Sequence, residues 1–475
     1  MYARSRLLRS FRLALLVLSS LSVLFLGGIG RTSSAEVPQP SIPEGIGPLP
    51  DFSKGAKSGV FVTREHIDKY RALFPRELAE LISSNEFVCE VALNPQRPEL
   101  FEQIPGNQAE PPAITVDGSL SPVPQKVTGP IFPTISEATE ENNRTRRAYE
   151  VLWNAHSALW SLRSSAHNLM LTIFKEPRSE GHKVEFLAER VYPQSLGVKP
   201  GRLESLFREK ISATAPQIIS PLKWLTLRFV GDVEDYVWVS SPITSKTRQL
   251  TGSNRSDLLF SGAFAPDELF VWSGKAEYVE PTSLSLVSML VPVLETPMGD
   301  ASVRSESCQK LDFGGGPLAL NAQTQRFRNG PGWVPTNVRF VVRSVWRIEL
   351  IARDPFSLDA RQTLYVDALT YQPIYRSVWE HDGRPRRFAL GVLGSTIGSG
   401  TYRPTWAGQI LFATADGGRS VLVPTSVETC DALVPGRTLD DFDPSKIAPA
   451  STAEKTAQKA QATAAVPQEI HESGE

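Results

Sequence analysis

The stretch RFVVRSVWRIELIAR, Arg339 to Arg353, sorts its side chains into two sets when every second residue is read. One set, Phe340, Val342, Ser344, Trp346, Ile348, Leu350 and Ala352, is almost wholly apolar; the other carries Arg339, Arg343, Arg347, Glu349 and Arg353. Because successive side chains of a strand point to opposite faces, this pattern predicts one long strand with an apolar face and a charged face. The same period recurs in PLKWLTLRFVGD, where Leu225, Leu227 and Phe229 oppose Thr226 and Arg228. It recurs again in YQPIYRSVWEH, where Tyr371, Tyr375 and Trp379 oppose Gln372, Arg376 and Glu380. NLMLTIFKE, HKVEFLAERVY, DYVWVSS and QTLYVD add further runs, and few of the links between them are long enough to hold a crossover helix. The strands are therefore expected to be antiparallel.

Helical spacing is rarer. Thr63 caps TREHIDKYRALFPRELAELISS, which Pro75 should break into two pieces. From Ser136, SEATEENNRTRRAYEVLWNAHSALW places Tyr149, Leu152, Trp153 and His156 on one helical face, and GRLESLFREKI reads as a short helix. The expected fold class is α+β: a large curved antiparallel sheet forming an incomplete barrel, its apolar face covered by a few helices.

The 475 residues suffice for a large core, and a net charge of -1 without a clustered basic stripe argues against a nucleic-acid partner. Arg4, Arg6, Arg9 and Arg12 precede an apolar run that ends near Gly30 and is followed by Ser33-Ser34-Ala35, the layout of a secretory signal cleaved after Ala35. The alternative is an uncleaved anchor, since the run approaches the length of a bilayer span. The expected organisation is a signal peptide over 1–35, a Pro-rich arm with one broken helix over 36–133, the barrel domain over 134–437 and a disordered tail over 438–475. Of the three cysteines, Cys308 and Cys430 flank strand-rich sequence in loop-like stretches and are the favoured pair in an oxidising compartment; Cys89, in NEFVCEV, reads as a buried strand residue. The pairing stays open at this level.

No constellation for catalysis emerges. The six histidines lack metal-ligand spacing, and His381-Asp382 enters an Asp-Gly turn between strands. Gly314 to Gly316 precede Pro317 rather than a helix start, and TIGSGT lacks a nucleophile elbow. His156 beside Trp153 reads as a satisfied structural histidine. No enzyme activity, metal or cofactor is expected.

Three segments together carry a resemblance. GPIFPTI…AYEVLWNAHSALW, DYVWVSSPITSKTRQLTGSNRSDLLFSGAFAPDEL and RFVVRSVWRIELIAR…QTLYVDALTYQPIYRSVWEHDGRPRR resemble, in order and spacing over roughly Pro130 to Arg387, the exported family catalogued as domain of unknown function 1329. That family is related to the outer-membrane lipoprotein-sorting, LolA-like, periplasmic carriers. The chain departs from the family pattern at Ser240-Ser241-Pro242, Thr247-Arg248-Gln249 and Ala368-Leu369-Thr370. The resemblance implies an incomplete β-barrel that holds lipid or another hydrophobic ligand. It also implies a periplasmic shuttle acting with an outer-membrane barrel and an inner-membrane efflux-type transporter. On this reading Leu227, Phe229, Phe340, Val342, Trp346, Ile348, Leu350 and Trp379 line the lipid-binding concave face. The alternative is a non-enzymatic structural envelope protein whose core is filled.

Overall fold

The computed structural model describes residues 60–92 and, apart from several internal stretches, 110–447. The signal segment, the Pro-rich leader, Gly314 to Gly316 and the tail beyond Ile447 lie outside the described residues. The chain opens with β1 (Val60–Val62), α1 (Ile67–Tyr70), α2 (Arg76–Ser83) and β2 (Cys89–Val91). The hairpin β3 (Ala113–Ile114) and β4 (Leu120–Ser121) leads to α3 (Glu141–Trp160). Six strands follow: β5 (Ala166–Glu176), β6 (His182–Val191), β7 (Ser205–Ala215), β8 (Lys223–Phe229), β9 (Tyr236–Ser241) and β10 (Lys246–Leu250). After a segment over 251–278, whose described residues include 3₁₀ turns at Gly252–Ser256, Pro266–Glu268 and Ala276–Tyr278 and in which 260–263 lie outside the described residues, come β11 (Val279–Leu294), β12 (Ser302–Ser305), β13 (Cys308–Asp312), β14 (Leu320–Asn321) and β15 (Val334–Pro335). The predicted long strand is β16 (Val338–Ala352), followed by β17 (Arg361–Asp367), β18 (Pro373–Trp379), β19 (Pro385–Gly398), β20 (Thr401–Ala413) and β21 (Arg419–Cys430).

Among the described residues 17 of these strands form one sheet. β11 pairs antiparallel with β16 along its length, setting Leu284 opposite Ile348 and Leu286 opposite Trp346. Pairing then runs through β17 and β18 to β19, which returns to β11 by the parallel bridge Val293 to Leu393. From β19 the sheet continues through β20, β21 and β5 to β10. The fold is thus α+β, a sheet that closes on itself at one end and stays open at the other. Among the described residues no helix is long and apolar enough to cross a membrane.

Three differences from the sequence expectation share one cause, burial on both faces of the sheet. GRLESLFREKI is not a helix: its residues from Ser205 onward belong to β7, where the charged side chains that mimic a helical spacing are buried ion-pair partners such as Glu209. Residues 60–92 are not an arm that buries little. The chain breaks at Pro75, and the two pieces bring Leu73, Phe74, Leu78, Ile82 and Phe87 into a core with Phe340, Tyr375 and Phe412. β2 bridges to β16 at Val91 and Phe340. The third concerns the expected tail, since two single 3₁₀ turns over 439–442 and 444–447 bury Phe442 and Ile447 against Leu225 and the Cys308–Cys430 pair. That pair is a disulfide, with its residues directly opposite one another on β13 and β21. Cys89 is a free, buried thiol.

α3 keeps its predicted face inward. Asn154 clamps the preceding loop by accepting from the Phe132 N–H (2.9 Å) and donating to its carbonyl (2.8 Å), and the Trp153 indole donates to the Gly118 carbonyl at 2.8 Å. Adding a Cβ to Gly118, at φ +90°, would put it 2.3 Å from the Tyr149 ring, so only glycine lets this loop lie against the helix. His156 is buried and stacks on Phe207. Burial, then the nearby Arg190 and Arg228 charges, holds its pKa well below the ordinary value.

Two outcomes are expected. Phe87→Ala should lower unfolding free energy by about 3–5 kcal/mol in a urea titration, since Phe87 packs edge-on to both Phe340 and Phe412; a loss below about 1 kcal/mol would place residues 60–92 outside the core. The second concerns acid. In the unfolded chain His156 gains a proton below about pH 6.5, while in the folded chain it stays neutral, so stability is full above that pH and falls as pH drops, by about 1.4 kcal/mol per unit. His156→Gln should therefore flatten the stability profile between about pH 6.5 and 5, before carboxylates titrate. An unchanged slope would show that the histidine charges equally in both states.

Candidate functional site

The face that carries Trp346 and Ile348 can be followed across the sheet by register. It continues through Leu364, Arg376, Ala389 and Leu411, then Leu422, Ile173, Ala188 and Ile211, to Trp224, Thr226 and Arg228. This trough is apolar around β16 and β17 and strongly charged around β6 to β8 and β18 to β19.

The predicted lining divides accordingly. Trp346, Ile348 and Leu350 face the trough and are buried there. Phe340 and the half-buried Val342 belong to the separate core beneath α1 and α2, where Phe74 and Phe87 sit 6.2 Å from the Phe340 ring. Leu227, Phe229 and Trp379 lie on the opposite face. Leu227 packs under the C-terminal 3₁₀ turns, Phe229 meets Tyr236 edge-on, and half-buried Trp379 carries the Arg361 guanidinium 5.0 Å from its ring. The physical reason is that β8 and β18 turn their charged residues inward. Arg228 and Arg376 are both 2% exposed and ion-paired, and that is affordable only because acids meet them inside.

Two further acids, Asp267 and Glu268, come from the 251–278 segment. Asp267 sits 2.5 Å from Arg255 and 3.4 Å from Arg228. Its neighbour Glu268 pairs with Arg387, lies 3.7 Å from Arg376 and caps the Ala265 N–H at 2.9 Å. Asp359, from the link between β16 and β17, meets Arg376 at 2.7 Å and Arg387 at 3.0 Å. Across the trough Glu209 accepts from Arg190 Nε at 3.0 Å and Arg255 Nη1 at 3.3 Å, while Arg228 Nε donates to Asp235 at 2.9 Å and its Nη1 to the Ser273 carbonyl at 2.9 Å. Burial alone would raise the pKa values of Asp267 and Glu209. The guanidiniums outweigh it, Arg255 and Arg228 for the first and Arg190 and Arg255 for the second, and hold both carboxyls below their ordinary range.

After these acids the segment turns apolar and enters the trough. Leu269, Phe270, Val271 and Trp272 are buried in the same cluster as Trp346 and Leu364, and Phe264 stacks on Phe186 at 5.1 Å. Phe270 and Val271 are successive left-handed residues, at φ 59° and 71°. Such backbone costs about 1–3 kcal/mol per residue, most for a β-branched side chain. Gln409 on β20 holds the turn, accepting from the Val271 N–H at 2.6 Å and donating to the Glu268 carbonyl at 2.7 Å. A Cβ on Gly391 would come within 2.5 Å of the Val271 side chain, so β19 carries glycine where the segment presses on it.

The trough is filled in this form. One cleft of about 50 Å³, lined by Asp267, Lys275, Tyr278, Asp359 and Arg376 among others, opens beside the segment, and another of about 10 Å³ lies near His156 and Trp272. Both are of water size and too small for an acyl chain, which needs several hundred Å³. Among the described residues no group of three or more His, Cys, Asp or Glu could hold a metal ion, and His381 is exposed at its predicted turn. Sequence reasoning missed the segment as a site element, although its signal is plain in retrospect. Asp267-Glu268 directly precedes Leu269-Phe270-Val271-Trp272, an acidic pair joined to an apolar run.

No protein-family model matches the chain, and no curated protein matches it. Solved structures do. One is an outer membrane lipoprotein-sorting protein domain from Vibrio parahaemolyticus, at 10% identity and TM-score 0.42 over 65% of this chain and 100% of that one. Another is a protein of the domain of unknown function 1329 family from Desulfovibrio piger, at 12% identity and TM-score 0.38 over 60% and 92%. A LolA superfamily protein from Nitrosomonas europaea matches at 12% identity and TM-score 0.36 over 64% and 98%. The chain is similar to these proteins at low identity.

Proposed function

We propose that this chain is an exported, non-enzymatic carrier or chaperone that binds lipid or another hydrophobic molecule in the trough of its incomplete barrel. The form described above is then its closed, empty state. The observation that carries this reading is the nature of the cover. The apolar floor of Trp346, Ile348, Leu350 and Leu364 lies beneath an irregular segment that holds two consecutive residues in left-handed backbone. Strain of that kind persists only where the surrounding packing over-determines it, and it clusters at ligand clamps and switch segments. An acyl chain contributes about 0.8 kcal/mol per buried CH₂, and it has only to favour the open form by more than opening costs.

Export is supported by the basic-then-apolar N-terminus and by the Cys308–Cys430 disulfide, a bond that persists in oxidising compartments. Binding rather than catalysis is supported by the trough's charges. They are arginine–carboxylate pairs, and the guanidiniums hold Glu209 and Asp267 below the ordinary carboxylate range, away from a pKa suited to proton exchange. The proposal places the protein in the periplasm, handing its cargo between an inner-membrane efflux-type transporter and an outer-membrane barrel.

A second reading has its own observation. The cleft beside the segment measures about 50 Å³, which fits a structural envelope protein whose core is permanently filled. Native mass spectrometry of protein taken from its own envelope separates the two. The carrier reading expects an acyl lipid bound one to one, or acquired after incubation with phospholipid vesicles. Lipid-free protein that stays lipid-free after that incubation supports the filled core.

A further inference from the structure

The segment that fills the trough is built like the molecule it would exclude. Its acidic pair, Asp267 and Glu268, lies among arginines carried by three different strands: Arg228 on β8, Arg376 on β18 and Arg387 on β19. The apolar run that follows at once, Leu269 to Trp272, lies on the apolar floor beside Trp346 and Leu364. Charge and apolar surface are thus presented in the order, and over the short distance, of an amphiphile with an anionic head. The arginines remain partly unanswered even with the segment in place. Among the described residues Arg387 Nη1 and Arg255 Nη2 are buried with no hydrogen-bond partner, and Arg387 is 5% exposed. Buried guanidinium N–H groups of this sort have capacity for further acceptor oxygens. Removing Asp267 and Glu268 from the trough leaves Arg228 with Asp235, and Arg376 and Arg387 sharing Asp359, so positive charge is in excess where the segment lay.

We propose that the cargo is an anionic amphiphile, an acyl chain bearing a carboxylate or phosphate head, and that Asp267 to Trp272 occupies its place as an internal mimic. The head takes the position of the Glu268 and Asp267 carboxylates between Arg387, Arg376 and Arg228, and the chain takes the position of Leu269 to Trp272. This rests on the carrier reading and specifies its ligand. Arginine is suited to the task because its fork donates two parallel hydrogen bonds to either kind of oxyanion.

The test uses the full-length mature protein, with cis-parinaric acid and its methyl ester as fluorescent probes that differ only in the charge of the head. Wild type should bind the acid about tenfold more tightly than the ester, the worth of one charge-assisted hydrogen bond. Glu268→Gln keeps the side-chain shape and the oxygen that caps Ala265, but removes the competing charge. It should bind the acid about tenfold more tightly than wild type while changing ester binding little. Inorganic phosphate in large excess should fail to displace the bound acid, and displacement by phosphate would reduce the site to one for simple anions. Equal binding of acid and ester by wild type overturns the anionic head and leaves the carrier reading intact, and this comparison decides the matter even where Glu268→Gln does not fold. Binding of neither probe, by wild type or variant, removes the carrier reading itself.

Discussion

The ion pairs between the inward-facing arginines of the sheet and the acids of the 251–278 segment are the constraint on which the rest of the interior depends. A guanidinium facing a protein core is tolerable only with a carboxylate in reach, and removing one partner of such a pair costs about 3–5 kcal/mol. Arg228, Arg376 and Arg387 therefore dictate that something anionic lies in the trough whenever it is dry. Asp235 and Asp359 answer part of this demand from loops at the rim, and Asp267 and Glu268 answer the remainder from the segment itself. The segment's apolar residues follow because they are covalently joined to those acids.

The same pairs make opening feasible. An apolar core cannot be exposed without losing the full free energy of its burial, whereas charged groups released to water regain hydration. The trough is divided in this sense, with a floor that resists exposure around Trp346 and a flank that accepts it around Arg228 and Arg387. The strained turn at Phe270 and Val271, clamped by the amide of Gln409, offsets part of the attraction that holds the segment down.

The sheet itself was legible in the sequence: Arg339 to Ala352 lies in one strand, and its alternation of buried and half-buried residues holds from Trp346 to Leu350, whereas Val341, Arg343 and Val345 are buried on the other face. So were the inward face of α3 and the break at Pro75, while the disulfide joins the two cysteines that the sequence favoured without settling their pairing. Of the residues predicted to share one face, Trp346, Ile348 and Leu350 do face the trough. Leu227, Phe229 and Trp379 were misassigned because alternation identifies two faces without saying which one is inside. At β8 and β18 the usual rule, apolar inward, is inverted by buried ion pairs. Periodicity also could not assign the 251–278 segment, which has neither a helical nor a strand period and matters through its order of charge and apolarity.

Hydrogen–deuterium exchange at Phe270, Val271 and Trp272, compared with the strand amides of Ile348 and Leu350 and measured with and without phospholipid vesicles, addresses the central claim most directly. If the segment is a displaceable occupant of the trough, its amides exchange through local opening, faster than those of β16, and lipid accelerates them further. Exchange of both sets at the single rate of global unfolding, unaffected by lipid, would contradict the account and make the segment a permanent part of the core.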